Sequence, residues 1–108
     1  MNTITFSYLI TPEKKGFSVS CLDWNCVFSQ GENIIECKKN IVEVTEMLLE
    51  DLINIRLVKS QYPKIKKHIA NPYTFQLTFN LDKAKFLPDN KIPFKSKIKA
   101  ISNIAAIF

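Results

Sequence analysis

Hydrophobic and polar positions alternate from the start of the chain. Between Thr3 and Thr11, the residues Ile4, Phe6, Tyr8 and Ile10 fall on one side, and Thr3, Thr5, Ser7 and Leu9 on the other. A period of two is that of a strand with one face buried. Pro12 to Gly16 is a charged turn in which Gly16 can supply the positive φ that a hairpin often needs. Phe17, Val19 and Cys21 form the inward row of a second strand, Asp23 to Asn25 turns the chain again, and Cys26 to Gln30 completes an antiparallel meander.

The period then changes. Asn33 can cap a helix with its side chain while Glu36, three residues on, reaches back, which together make a capping box. From there Ile34, Cys37, Ile41, Val44, Leu48, Leu52 and Ile55 recur at spacings of three and four, predicting a helix over Asn33 to Leu57. Ile35, Val42, Leu49 and Ile53 widen the apolar stripe. Such a helix either meets a partner as well as the sheet or is well buried in its own domain.

Val58 to Pro72, with five bases counting His68 and no clean period, reads as a connector with room for one helical turn. Tyr73, Phe75, Leu77, Phe79 and Leu81 alternate with Thr74, Gln76, Thr78 and Asn80, predicting a fourth strand. The pattern breaks at Pro88 and Pro93, after which Phe94, Ile98, Ile101, Ala105 and Phe108 return at helical spacing. The expectation is an α+β fold in the order β-β-β-α-β. It comprises a mainly antiparallel four-stranded sheet with one long helix over 1–81, and a tail over 82–108 with a short helix at 94–107.

Charge divides the chain. Met1 to Leu57 has eight acids against five bases, while Val58 to Phe108 has ten lysines against Asp82 and Asp89. An acidic half suits a basic partner. Met1 to Ser7 has no basic region of the kind that opens a secretory signal, and no apolar run approaches the ~20 residues of a membrane span. Three cysteines cannot all pair within one chain, which favours a reducing compartment. A cytoplasmic protein with no membrane association is expected.

Gly16-Phe-Ser-Val-Ser-Cys-Leu-Asp23, then Cys26, then Gln30-Gly31, then a helix carrying Glu36, Asn40, Glu46, Leu48, Leu49, Glu50, Asp51 and Leu52, resembles the HicB family of antitoxins. The resemblance covers roughly the first half of the chain and, as an order of elements, extends to Leu81. It implies a core like a truncated ribonuclease H fold, no catalysis, and neutralisation of a small mRNA-cleaving toxin resembling HicA. The turn Asp23-Trp24-Asn25-Cys26 lacks the Pro-Gly that members often carry before the Cys. Asp82 to Phe108 is too short for a complete helix-turn-helix unit.

Chemistry is sparse. Metal-dependent nucleic-acid cleavage needs several gathered carboxylates, whereas the predicted strands offer none and Asp23, Glu32 and Glu36 lie at turns or the first helical turn. Cys21, Cys26, Cys37 and His68 contain no Cys-x-x-Cys pair, so neither a metal nor another cofactor is expected. His68, among lysines, reads as a solvated loop residue. Trp24 and Phe28, at a turn and on a short strand, are either contact residues for a partner or caps on the core.

Two functions follow. In the first, the acidic helix face of Glu43, Glu46, Glu50 and Asp51, with the aromatic turn at Trp24 and Phe28, engages a basic HicA-like toxin. In the second, Lys64 to His68 and Lys95, Lys97 and Lys99 make a nucleic-acid-binding regulator. The three tail lysines spread around a helix and have no aromatic among them, so weak, non-specific nucleic-acid binding is the most they imply. A wide apolar helix and open sheet edges predict a homodimer or higher oligomer, with or without a toxin.

Overall fold

The computed structural model describes residues 2–68 and 71–88. Five strands form one sheet: β1 (Thr3–Pro12), β2 (Phe17–Cys21), β3 (Phe28–Gly31), β4 (Thr74–Asn80) and β5 (Lys85–Leu87). A long helix, α1 (Ile34–Ile53), follows β3, and a 3-10 turn (Lys59–Gln61) lies between α1 and β4. The spatial order is β3-β2-β1-β4-β5, and every neighbouring pair is antiparallel.

The alternation read in β1 sets the layers. Phe6, Tyr8 and Ile10 point to the helix side and meet Leu77, Phe75 and Val19 across the ladder, all of them buried. Phe6 packs at 5.5 Å from Trp24 and 6.0 Å from Phe79, and Tyr8 stacks on Phe75 at 5.5 Å, ring centre to ring centre. Each such pair contributes about 0.5–1.5 kcal/mol beyond the area it buries. The other sheet face is polar: Thr5 shares a 2.8 Å hydroxyl contact with its register partner Thr78, and Ser7 faces Gln76. This is the one-sided sheet that antiparallel pairing permits.

The cap of α1 is the one that the sequence predicts. Asn33 is its cap, and the Asn33 Oδ1 accepts from the Glu36 N–H at 2.8 Å. Ile34, Cys37, Ile41, Thr45 and Leu49 are buried against the sheet. Thr45 donates to the Ile41 carbonyl at 2.7 Å, which leaves its oxygen to accept from the Tyr8 hydroxyl at 2.9 Å. A polar tie thus fixes the helix over the central strand.

The helix ends four residues before the expected Leu57. Arg56 N–H bonds to Asp51 O at 2.8 Å and Ile55 N–H to Leu52 O at 3.1 Å, with Ile55 at φ +55°. This is the Schellman arrangement, in which Gly usually holds the left-handed position. The sequence offers no Gly to announce it.

The expected four strands are five. β5 lies beyond the anticipated boundary at residue 81, turning back from β4 through Ala84 at φ +52°. Both sheet edges are blunted by α1. Asn40 donates to Gln30 O of β3 at 2.8 Å, and Glu46 accepts from Phe86 N–H of β5 at 2.9 Å. Unpaired edge groups template strand addition, and side-chain capping opposes it.

The chain's two glycines meet at the other end of α1. Gly16, at φ +84°, approaches so closely that a Cβ there would stand 2.4 Å from Gly31 O. Any side chain would push the β1–β2 turn off the entry to the helix. The expected tail helix at 94–107 lies outside the described residues.

Candidate partner-binding surface

Asp23 occupies the turn after β2, where the ladder to β1 ends. Leu22 N–H still bonds to Ser7 O at 2.8 Å, but the return bond from Ser7 N–H goes to Asp23 Oδ2 at 2.8 Å. The carboxylate takes the place of the next carbonyl. Its second oxygen accepts from Lys66 N–H at 2.9 Å and lies 2.7 Å from His68 Nε2, while Asp23 O accepts from Lys64 N–H at 2.7 Å.

One residue therefore fastens the 58–68 segment, hereafter the strap, onto the sheet. The Asp23 side chain is 1 % exposed and that of His68 20 %. Burial pushes the Asp23 carboxyl up, but the bonds from Ser7, His68 and Lys66 and the His68 charge outweigh it, leaving the carboxyl below its ordinary value. His68 is thus a fastening, not the solvated loop residue expected of it. The cue was remote: an acid in one turn and a histidine 45 residues later.

The strap also lies over Trp24. Its indole Nε1 donates to Gln61 O at 2.6 Å, and the residue is 1 % exposed, inside the core. As a surface contact for a partner Trp24 is thereby corrected: a buried indole that satisfies its N–H internally leaves almost no surface for one. Phe28 is different. It sits on the polar sheet face at the β3 edge, opposite Ser20, and is 68 % exposed.

The four acids expected to act as one face are divided by the fold. Glu43 and Glu50 are exposed. Glu46 is half-buried and spent on capping β5, and Asp51 is half-buried with Arg56 at 3.6 Å. Glu36, not counted among them, completes the outward row: Glu36, Glu43 and Glu50 recur every seven residues, two helical turns. Exposed Ile35 and Ile53 flank this row on one side and Met47 on the other, with Lys39 between. The surface that results is an acidic and apolar ridge on a rigid helix.

The carboxylates singled out as candidate metal ligands, Asp23, Glu32 and Glu36, are divided between two clefts. Asp23 lines one cleft, with Trp24, Cys26, Tyr62, Lys64 and Lys66, whereas Glu32 and Glu36 line another groove beside Glu13 and Lys15. Among the described residues no three His, Cys, Asp or Glu side chains gather as metal ligands. Cys21 and Cys37 are buried and Cys26 is exposed, all as free thiols. No helix among the described residues is long and apolar enough to cross a membrane. Lys95, Lys97 and Lys99 lie outside the described residues.

Comparison of the chain with protein-family models, with curated proteins and with solved structures gives no match.

Proposed function

We propose that the protein is a non-catalytic antitoxin of the HicB-like type, acting in the cytoplasm by seating a small basic mRNA-cleaving toxin on the outer ridge of α1. The observation that carries this reading is the ridge itself, where Glu36, Glu43 and Glu50 are exposed in one row with Ile35, Met47 and Ile53 beside them. Acids steer a cationic partner and set its orientation, and adjacent apolar side chains supply the desolvated contact that holds it. The motif from Gly16 to Leu52 supports the family, and the mixed α+β architecture is compatible with the truncated ribonuclease H-like core that the family implies.

The test is co-expression with the product of the adjacent short reading frame. The reading expects the two proteins to co-purify and RNA cleavage by the second to stop when the first is added. Glu43→Lys with Glu50→Lys should abolish both effects while leaving the thermal melt in place. A neighbouring product that neither binds nor cleaves RNA would remove this reading.

A further inference from the structure

Eight large hydrophobic residues are exposed among the described residues, and their placement is uneven. Phe28 stands apart on the sheet. Ile35, Met47 and Ile53 belong to the outer ridge of α1, and Ile55, Val58, Tyr62 and Ile65 belong to the strap and its junction with the helix. Scattered singly such residues need no explanation, but seven confined to two surfaces do.

The two surfaces carry opposite charge. Glu36, Glu43 and Glu50 dominate the ridge, relieved only by Lys39. From Val58 to His68 the strap has Lys59, Lys64, Lys66 and Lys67 and no acid at all, and all four lysines are exposed. Asp23, the acid beneath the strap, is buried and taken up by Ser7, Lys66 and His68. Acid and apolar on one side thus faces base and apolar on the other.

Two further features bear on how copies would meet. Edge-to-edge sheet pairing is opposed on both sides, by Asn40 at β3 and by Glu46 at β5. Meanwhile Ile55 is a β-branched residue held in the left-handed region and 81 % exposed, a position where Gly would be free of strain. Strain kept at an exposed apolar side chain points to use of that side chain.

We infer that the strap of one copy docks on the α1 ridge of a second copy. Because each copy carries both surfaces, two such contacts can close into a two-fold dimer. The inference does not rest on a toxin: any basic partner of the ridge would compete with the second copy's strap.

Light scattering on the full chain, with charge reversals at exposed positions, tests it. The wild type should have a dimer mass that falls toward the monomer on dilution and at high salt. Glu43→Lys with Glu50→Lys should halve the mass, and so should Lys64→Glu with Lys66→Glu, each with circular dichroism unchanged. An equimolar mixture of the two double variants should regain the dimer mass, because both contacts then join opposite charges. A chain carrying all four reversals should regain it too.

A wild-type monomer at every concentration would overturn the inference, as would a strap reversal that leaves the mass intact or double variants that do not rescue each other. So would loss of bound nucleic acid, and not of mass, on reversing the strap. Lys64→Glu with Lys66→Glu also separates this proposal from the toxin reading, since the strap lies off the toxin-facing ridge and toxin capture should survive.

Discussion

His68 Nε2 stands 2.7 Å from Asp23 Oδ1, and through this contact a turn of the N-terminal meander holds a segment that begins after α1. Three donors converge on one buried carboxylate: Ser7 N–H, Lys66 N–H and the imidazole. Asp23→Asn would turn an amide N–H toward at least one of them. A buried donor left without its acceptor costs about 1–3 kcal/mol, and a charged partner more. Urea denaturation should therefore show Asp23→Asn destabilised by about 3 kcal/mol. A shift below ~0.5 kcal/mol, the range of ordinary surface changes, would contradict the arrangement.

The same contact gives the protein an acid-sensitive fastening. The folded-state pKa of Asp23 lies below its ordinary value of 3.8, so its contribution is fully present above that value and is lost as pH falls through the folded pKa. Stability should decline as pH drops below about 4. In Asp23→Asn this part of the decline should be missing, which chemical denaturation at a series of pH values can measure.

Two aromatics near the same turn should behave oppositely. Trp24 is enclosed and hydrogen-bonded to Gln61 O, so Trp24→Ala should cost on the order of 3–5 kcal/mol. Phe28 stands outside on the sheet edge, and Phe28→Ser should stay within about 0.5 kcal/mol. Thermal melts of the two variants, side by side, decide whether the assignment of core and surface is right.

Sequence reading reached what is local and periodic. The alternation in Thr3 to Thr11 and in Tyr73 to Leu81 located β1 and β4, and Asn33 with Glu36 located the start of α1 to the residue. Its end was hidden because Ile55 continues the three-residue spacing from Leu52 while its backbone has already left the helix. β5 is three residues between Ala84 and Pro88, too short to show a period. The division of the acidic face was illegible because Glu46 is consumed by Phe86 N–H, 40 residues away, and nothing near Glu46 signals that. Trp24 sits at a turn, where a contact residue and a core cap look alike in sequence, and what encloses it is distant: Phe6 of β1 and Gln61 of the strap.

The thiols give an independent check on packing. Burial pushes the Cys21 thiol up to about 12 and the Cys37 thiol up to about 11, which leaves both neutral near pH 7. Cys26 is exposed. Native protein treated with maleimide at neutral pH should take one label, at Cys26, and unfolded protein three, read by mass spectrometry. Labelling of Cys37 in the native state would mean that α1 does not lie on β2 as described.

Relief of strain should be visible at the end of α1. A residue with a Cβ in the left-handed region costs roughly 1–2 kcal/mol relative to a right-handed one, a cost glycine escapes. Ile55→Gly should stabilise the folded chain by about 1 kcal/mol in denaturant, measured where the protein is dilute. At high concentration the same variant should associate less well, since Ile55 is exposed at the junction of α1 with the strap.

The position of β1 in the middle of the sheet governs the order in which the molecule can be made. β1 is synthesised before the other four strands, yet Thr3 pairs with Asn80, so one of its two long sides has no partner until nearly the whole described chain exists. At ordinary translation rates that interval lasts several seconds. During it the hairpins to β2 and β3 can form from nearby residues and α1 can cover Phe6 and Tyr8, whereas the backbone edge of Thr3 to Leu9 that faces β4 waits unpaired. The newborn chain is most exposed to aggregation, or to capture by a chaperone, before β4 emerges.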